Sequence, residues 1–149
     1  MIKGLYEAHL PVSNLENSVE FYKKLGLELA SKKGKVAFFW IVKEESWLGL
    51  WESDTVQLNY HPSIRHLAFK IDKEDVDHAK EWLNSIGIEI RTEFGLTSEH
   101  QPLELSNEPH AHAAIYFSDP DGNSLELITP LRLDGAESFK EMSLEEWRR

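Results

Sequence analysis

The chain carries an internal repeat, and that repeat limits the folds open to it more than any other feature. Glu7-Ala8-His9-Leu10-Pro11-Val12 leads into a helical stretch that stops at Gly26-Leu27-Glu28-Leu29. His66-Leu67-Ala68-Phe69-Lys70-Ile71 leads into another that stops at Gly87-Ile88-Glu89-Ile90. Glu7 lies 19 positions before its glycine and His66 lies 21 before its own, so the second copy holds two extra residues and Glu7 falls opposite His66. Two metal-capable side chains thus occupy equivalent places in a duplicated strand-helix-strand unit.

In the first copy, Ala8, Leu10 and Val12 form one face of a strand and Glu7, His9 and Pro11 the other. Pro11 lacks a backbone N–H, which predicts an edge or a strand end. Ser13-Asn14-Leu15-Glu16 reads as a capping box, followed by Leu15, Val19, Tyr22 and Leu25 at helical spacing. In the second copy Asp72 is the predicted cap, and Val76, Ala79, Leu83 and Ile86 form the buried stripe. Three strand-like runs follow each glycine: 27–31, 36–42 and 47–51 in the first copy, then 88–92, 111–117 and 124–129 in the second. Asp119-Pro120-Asp121-Gly122 before the last run is a turn signal, with proline presetting one dihedral and glycine accepting a left-handed one.

The pattern is β-α-β-β-β, twice. It predicts an α+β domain over residues 1–130, made of module 1 (4–52) and module 2 (63–130). Thr92 to His110 reads as a long polar loop and 130–142 as irregular. Residues 131–149 read as a C-terminal extension, where Ser143-Leu144-Glu145-Glu146-Trp147 is a second capping box and predicts a short helix.

Composition removes several function classes. With 149 residues and 41% hydrophobic content, the chain can bury about 70% of its unfolded surface, enough for one domain or two fused half-domains. The absence of cysteine excludes thiolate metal sites, a disulfide framework and a cysteine nucleophile. A formal charge of -10 opposes nucleic-acid binding, which rests on clustered lysine and arginine. No apolar run approaches the roughly 20 residues a bilayer demands, and Met1-Ile2-Lys3-Gly4 has no signal-like core. A cytoplasmic protein without membrane or nucleic-acid partners is the expectation.

On the face opposite the apolar stripes, Glu7 and His9 lie on the first strand, His66 on the fifth and Glu126 on the last. Imidazole and carboxylate suit divalent first-row metals, and strands hold such ligands more firmly than loops. Tyr116 is expected on the side of Glu126. Trp47 and Trp51 flank Gly49 and, with Trp40, form a pocket wall or plain packing. His110 and His112 alternate with alanines, as a second metal-capable pair or as strand-end surface residues. His78 is expected in solvent, and His61 and His100 sit in connections near prolines.

Residues 10–22, His66-Leu67-Ala68-Phe69 and 116–127 together resemble the vicinal oxygen chelate superfamily of glyoxalases, bleomycin-resistance proteins, fosfomycin-modifying enzymes and extradiol dioxygenases. The resemblance covers residues 4–130 in order. It implies paired β-α-β-β-β modules in a half-open barrel holding a divalent metal, and a homodimer. By position it implies Glu7, His66 and Glu126 as ligands, although relatives more often carry His or Gln at the first of these. Glyoxalase I-like members have a fourth ligand, a glutamate, where this chain has Gly49 opposite Glu126. A three-ligand site with an open position, where water, substrate or His9 could bind, is thereby implied, which disfavours glyoxalase I chemistry and suits a fosfomycin-type transferase or a dioxygenase.

The resulting expectation is a metal-dependent lyase, transferase or dioxygenase acting on a small oxygenated substrate by Lewis-acid catalysis. Zinc, nickel, manganese and iron suit the donors equally. His9 and Tyr116 are the catalytic candidates, and Trp47 and Trp51 the substrate-binding ones. The alternative is a bleomycin-resistance-type protein that sequesters a drug without chemistry, to which the acidic charge and five tryptophans also correspond. Fosfomycin modification ranks below both, since no basic cluster marks a phosphonate site.

Overall fold

A computed structural model describes residues 3–57, 65–92, 97–105, 112–131 and 141–143. The chain divides into two units, residues 1–65 with 119–123 and residues 66–118 with 124–149.

In the first unit, β1 (Glu7–Val12) precedes α1 (Leu15–Lys24), β2 (Glu28–Lys33), β3 (Val36–Val42) and β4 (Ser46–Glu52). The sheet order is β1-β4-β3-β2, so the first and last strands are neighbours. They run parallel, with Glu7 opposite Trp47, His9 opposite Gly49 and Pro11 opposite Trp51. Pro11 therefore sits on an edge strand, as its missing N–H predicts. The helix cap is Asn14, not Ser13: its side chain accepts from the Asn17 amide at 2.9 Å. Leu15, Val19, Tyr22 and Leu25 are buried together with Leu10, Val12, Ala37, Phe39, Leu48 and Leu50. This is the apolar side of the sheet, and it leaves Glu7, His9, Trp47 and Trp51 on the other.

The same unit buries a polar knot around the turn at 119–123. Asp119 accepts from the Asp121 and Asn123 amides, from Asn123 Nδ2 at 2.6 Å and from the Tyr22 hydroxyl at 3.0 Å. Burial, reinforced by the neighbouring Asp119, pushes the Tyr22 phenol well above its ordinary range, so it stays a donor. Burial also raises the Asp119 carboxyl, against the opposing pull of those donors. Arg65 holds φ 58, a left-handed conformation costing an unbranched residue about 1 kcal/mol. Its guanidinium is anchored on Asn123 Oδ1 at 2.6 Å and on the Val56 carbonyl at 3.0 Å.

The second unit repeats the plan with β5 (His66–Lys70), α2 (Val76–Ser85), β6 (Leu103–Leu105), β7 (His112–Ser118), β8 (Ser124–Pro130) and β9 (Glu141–Ser143). Its sheet order is β5-β8-β7-β6-β9, again with a parallel pair of β5 and β8. Val76, Ala79 and Leu83 of α2 are buried, as are Ala113, Ile115, Phe117, Leu125 and Leu127.

Three expectations change here. Asp72 makes no side-chain cap bond; a 3₁₀ turn over Lys73–Asp75 separates it from α2. Residues 88–92 form only a bridge, Ile90 to Phe117, and the strand beside β7 is Leu103–Leu105, inside the presumed loop. Gln101 explains the displacement: its buried side chain donates to the Arg91 carbonyl and accepts from the Tyr116 amide, occupying ladder positions a neighbouring strand would otherwise fill. The segment expected to be irregular also contributes β9. The helix predicted around Trp147 lies outside the described residues. Among the described residues, no helix is long and apolar enough to cross a membrane.

Candidate functional site

Alternation along β5 puts His66, Ala68 and Lys70 on one face, and alternation along β8 puts Ser124, Glu126 and Ile128 beside them. His66 Nε2 reaches Glu126 Oε2 at 3.0 Å, one strand step along the parallel ladder. Nδ1 of the same ring meets Ser124 Oγ at 2.8 Å, and Arg91 Nη2 donates to that oxygen at 2.7 Å. Tyr116, opposite Glu126 on β7, stacks obliquely on the imidazole with ring centroids 6.4 Å apart. The Glu126 side chain is 6% exposed, and its Oε1 is buried without a hydrogen-bond partner. A carboxylate oxygen so placed costs about 1–3 kcal/mol or more unless a donor or cation satisfies it.

In the first unit a second carboxylate and imidazole meet, but both come from β1. His9 Nε2 lies 3.5 Å from Glu7 Oε1, and both side chains are well exposed. Two indoles of β4 hold them: Trp47 Nε1 donates to Glu7 Oε2 at 2.8 Å, and Trp51 Nε1 donates to His9 Nδ1 at 2.7 Å. Gly49 lies between those tryptophans, and a Cβ there would fall 2.3 Å from His9 Nδ1. The imidazole thus fills the space a side chain at 49 would need. Phe38 meets His9, Trp47 and Trp51 edge-on, and Trp40 meets Trp47.

The two registers make the repeat exact in position and broken in chemistry. Glu7 pairs with Trp47 as His66 pairs with Ser124, and His9 pairs with Gly49 as Ala68 pairs with Glu126. Gly49 is therefore the equivalent of Glu126, as expected. Of the occupants the open position allowed, it is His9, the counterpart of Ala68, that covers the glycine. Neither unit by itself gathers three His, Asp or Glu side chains that could hold a metal ion, among the described residues.

Of the remaining histidines, His78 is exposed on α2, and His100 is exposed with its Nδ1 at 2.9 Å from Thr97 Oγ1. His112 is half-buried in β7. His61 and His110 lie outside the described residues. Sequence reasoning overlooked Ser124 and Arg91. Ser124 had a signal, because it stands two residues before Glu126 on the same strand face. Arg91 had none, since its contact spans 33 residues.

Comparison with known proteins agrees with this architecture. Residues 4–127 match the family model of the Glyoxalase/Bleomycin resistance protein/Dioxygenase superfamily. The metallothiol transferase FosB of Staphylococcus haemolyticus is 30% identical over 145 residues, covering 95% of this chain and 94% of its own. Among solved structures, an integron cassette protein from the mobile metagenome of Halifax Harbour Sewage Outfall superposes with a TM-score of 0.66 at 28% identity, covering 86% of this chain and 99% of its own. The fosfomycin resistance protein FosX of Listeria monocytogenes superposes with a TM-score of 0.60 at 27% identity, covering 86% and 93%.

Proposed function

The chain belongs to the Glyoxalase/Bleomycin resistance protein/Dioxygenase superfamily, and from that premise we propose that it is a divalent-metal-dependent enzyme acting on a small oxygenated substrate, most closely of the transferase kind. The observation that carries the reading is the buried Glu126 carboxylate, one oxygen without a partner and the other on His66 Nε2. An imidazole nitrogen and a carboxylate 3.0 Å apart are of the donor types that zinc, nickel, manganese and iron prefer. His66 and Glu126 would hold the ion, with Glu7 as third ligand by its place in the repeat. A cation held there would supply Lewis-acid stabilisation of negative charge developing on a substrate oxygen.

The chain's own groups do the rest. Ser124, held by Arg91, fixes the His66 ring through Nδ1, the kind of outer contact that orients ligating histidines. Tyr116 and His9 offer hydrogen bonds for orienting substrate, and the indoles of Trp47 and Trp51 offer flat apolar surface. Arg91 also brings a guanidinium to Ser124, beside the His66–Glu126 pair, where the sequence had suggested no basic cluster. The names of the FosB and FosX relatives favour a thiol or related nucleophile added to an electrophile such as fosfomycin. A cytoplasmic homodimer belongs to the same reading.

The test is metal analysis of protein purified without chelator, followed by incubation of manganese- or zinc-loaded protein with fosfomycin and cysteine. Stoichiometric metal and a chelator-sensitive adduct support the proposal; no metal uptake and no thermal shift with any of the four metals would sink it. A sequestration protein is the second reading, favoured by Trp51 at 48% exposure beside Glu7 and His9. Metal-independent quenching of tryptophan fluorescence by a cationic aromatic ligand would select it.

A further inference from the structure

We propose that Trp51 fixes His9 as the Nε2–H tautomer, so that His9 is a standing hydrogen-bond donor to a substrate oxygen and not a metal ligand, with Trp51 and Gly49 as its positioning residues. The donor role rests on the function proposed above; the tautomer does not.

The argument begins with the inventory of the indole. Its N–H can donate and has no lone pair to accept with. Trp51 Nε1 lies 2.7 Å from His9 Nδ1, so that nitrogen must present its lone pair, and in the neutral ring the proton resides on Nε2. Nε2 in turn points toward Glu7 Oε1, 3.5 Å away. Trp47 holds the other oxygen of that carboxylate at 2.8 Å, and Oε1 is too far from Nε2 for a hydrogen bond, so the Nε2 proton is left for another acceptor. A neutral imidazole cannot bind a cation through a nitrogen that carries its proton. For His9 to ligate through Nε2, the Trp51 bond would have to break and the proton cross to Nδ1.

His66 differs in the one respect that matters. Its Nδ1 partner is a hydroxyl, which can donate or accept. Ser124 Oγ already accepts from Arg91 Nη2 at 2.7 Å and retains a second lone pair for an Nδ1–H. In the metal-free protein Nε2 donates to Glu126 Oε2; because the hydroxyl can take an Nδ1–H, the proton can move to Nδ1 and free the Nε2 lone pair for a cation. The two histidines are thus assigned opposite roles by the partners of their Nδ1 atoms.

Gly49 makes the lock possible. A Cβ there would stand 2.3 Å from Nδ1 and 2.8 Å from Cε1 of His9, well inside van der Waals contact, so any side chain drives the ring off the indole. The position that carries Glu126 in the second unit carries, in the first, a glycine that makes room for a donor.

The test uses the full chain, free of metal and labelled with ¹⁵N, in long-range ¹H–¹⁵N correlation spectra at mildly alkaline pH, followed by addition of zinc alone. His9 is expected as a single Nε2–H tautomer in the wild type and as a tautomer mixture in Trp51→Phe. Zinc should leave the His9 Nε2 proton in place while the His66 Nε2 proton is lost. In parallel, His9→Ala should keep zinc affinity within about threefold of wild type, whereas His66→Ala should lose on the order of 100-fold or more. An Nδ1–H tautomer at His9, displacement of its Nε2 proton by zinc, or a tenfold or larger loss of zinc affinity in His9→Ala would overturn the proposal. If zinc does not bind at all, the metal-dependent function fails and the donor role with it, while the tautomer in the metal-free spectrum still decides the lock.

Discussion

Replacing Gly49 by alanine should cost little in the wild type and nothing once His9 is gone. The added Cβ meets His9 Nδ1 at 2.3 Å and Phe38 Cε1 at 3.2 Å, and no left-handed dihedral adds backbone strain at this position. The imidazole is 39% exposed, so it can swing into solvent. That movement forfeits the Trp51 hydrogen bond, worth about 1 kcal/mol, and forces a poorer rotamer at about 0.5–1 kcal/mol. Alanine recovers about 0.5–1 kcal/mol over glycine in a strand. The net destabilisation is about 1 kcal/mol. In a His9→Ala background the recovered term is opposed only by the Phe38 contact, which the ring relieves by shifting a few tenths of an ångström, so the same substitution should stabilise by about 0.5 kcal/mol. The double-mutant cycle should therefore show a coupling of about 1.5 kcal/mol between positions 9 and 49. Urea unfolding of the four proteins, followed by far-ultraviolet circular dichroism at one pH, measures it. Equal effects of Gly49→Ala in both backgrounds, within about 0.3 kcal/mol, would refute the reasoning. So would a loss above about 3 kcal/mol in the wild type alone, because the sheet and not the ring would then have yielded.

Three further outcomes follow from the same geometry. Glu126→Gln removes a buried carboxylate whose Oε1 has no partner, so melting temperature without metal should stay level or rise, while zinc stabilisation, about 2.7 kcal/mol at 100 times Kd, should disappear; differential scanning fluorimetry with and without zinc reads both. Asp119 has its carboxyl raised from 3.8 by burial, so the stability it contributes is complete below that value and is lost as pH rises through the folded-state value. The difference in unfolding free energy between wild type and Asp119→Asn should accordingly fall with rising pH above about 4 and then level; a rise across that window would contradict the assignment. Leu48→Ala, at a fully buried position under α1, should cost about 2–5 kcal/mol by urea titration, several times the effect at its neighbour Gly49.

The fold was legible where local pattern and tertiary placement agree. Val36–Val42 has the predicted limits, Pro11 lies on an edge strand, and the helical stripe from Leu15 to Leu25 is buried as its spacing requires. Legibility failed where one side chain overrode pattern. Residues 88–92 have strand composition, yet Gln101 takes the Arg91 carbonyl and the Tyr116 amide, and the strand beside β7 is Leu103–Leu105. The candidate site shows the same division. His66, Ser124 and Glu126 share a face by strand alternation alone, and the equivalence of Gly49 with Glu126 is readable from the repeat. That His9 leans across to Gly49 depends on the absence of a side chain one strand away, which no periodicity encodes. The Arg91 contact likewise depends on where the chain goes after α2.

The parallel pairing of β1 with β4 and of β5 with β8 has a consequence for the order of assembly. His66 is made 60 residues before Glu126, and the hairpin of β7 and β8 can close on local contacts long before β5 finds its place beside β8. Pairings with such sequence separation form slowly, because loop closure comes before any compensating contact. During synthesis the nascent chain therefore exposes β5 and its imidazole with no carboxylate to meet until the final hairpin has left the ribosome. The His66–Glu126 pair is expected among the later native contacts, and a chain truncated before β8 would lose the pair altogether together with one of the two strands on which α2 packs.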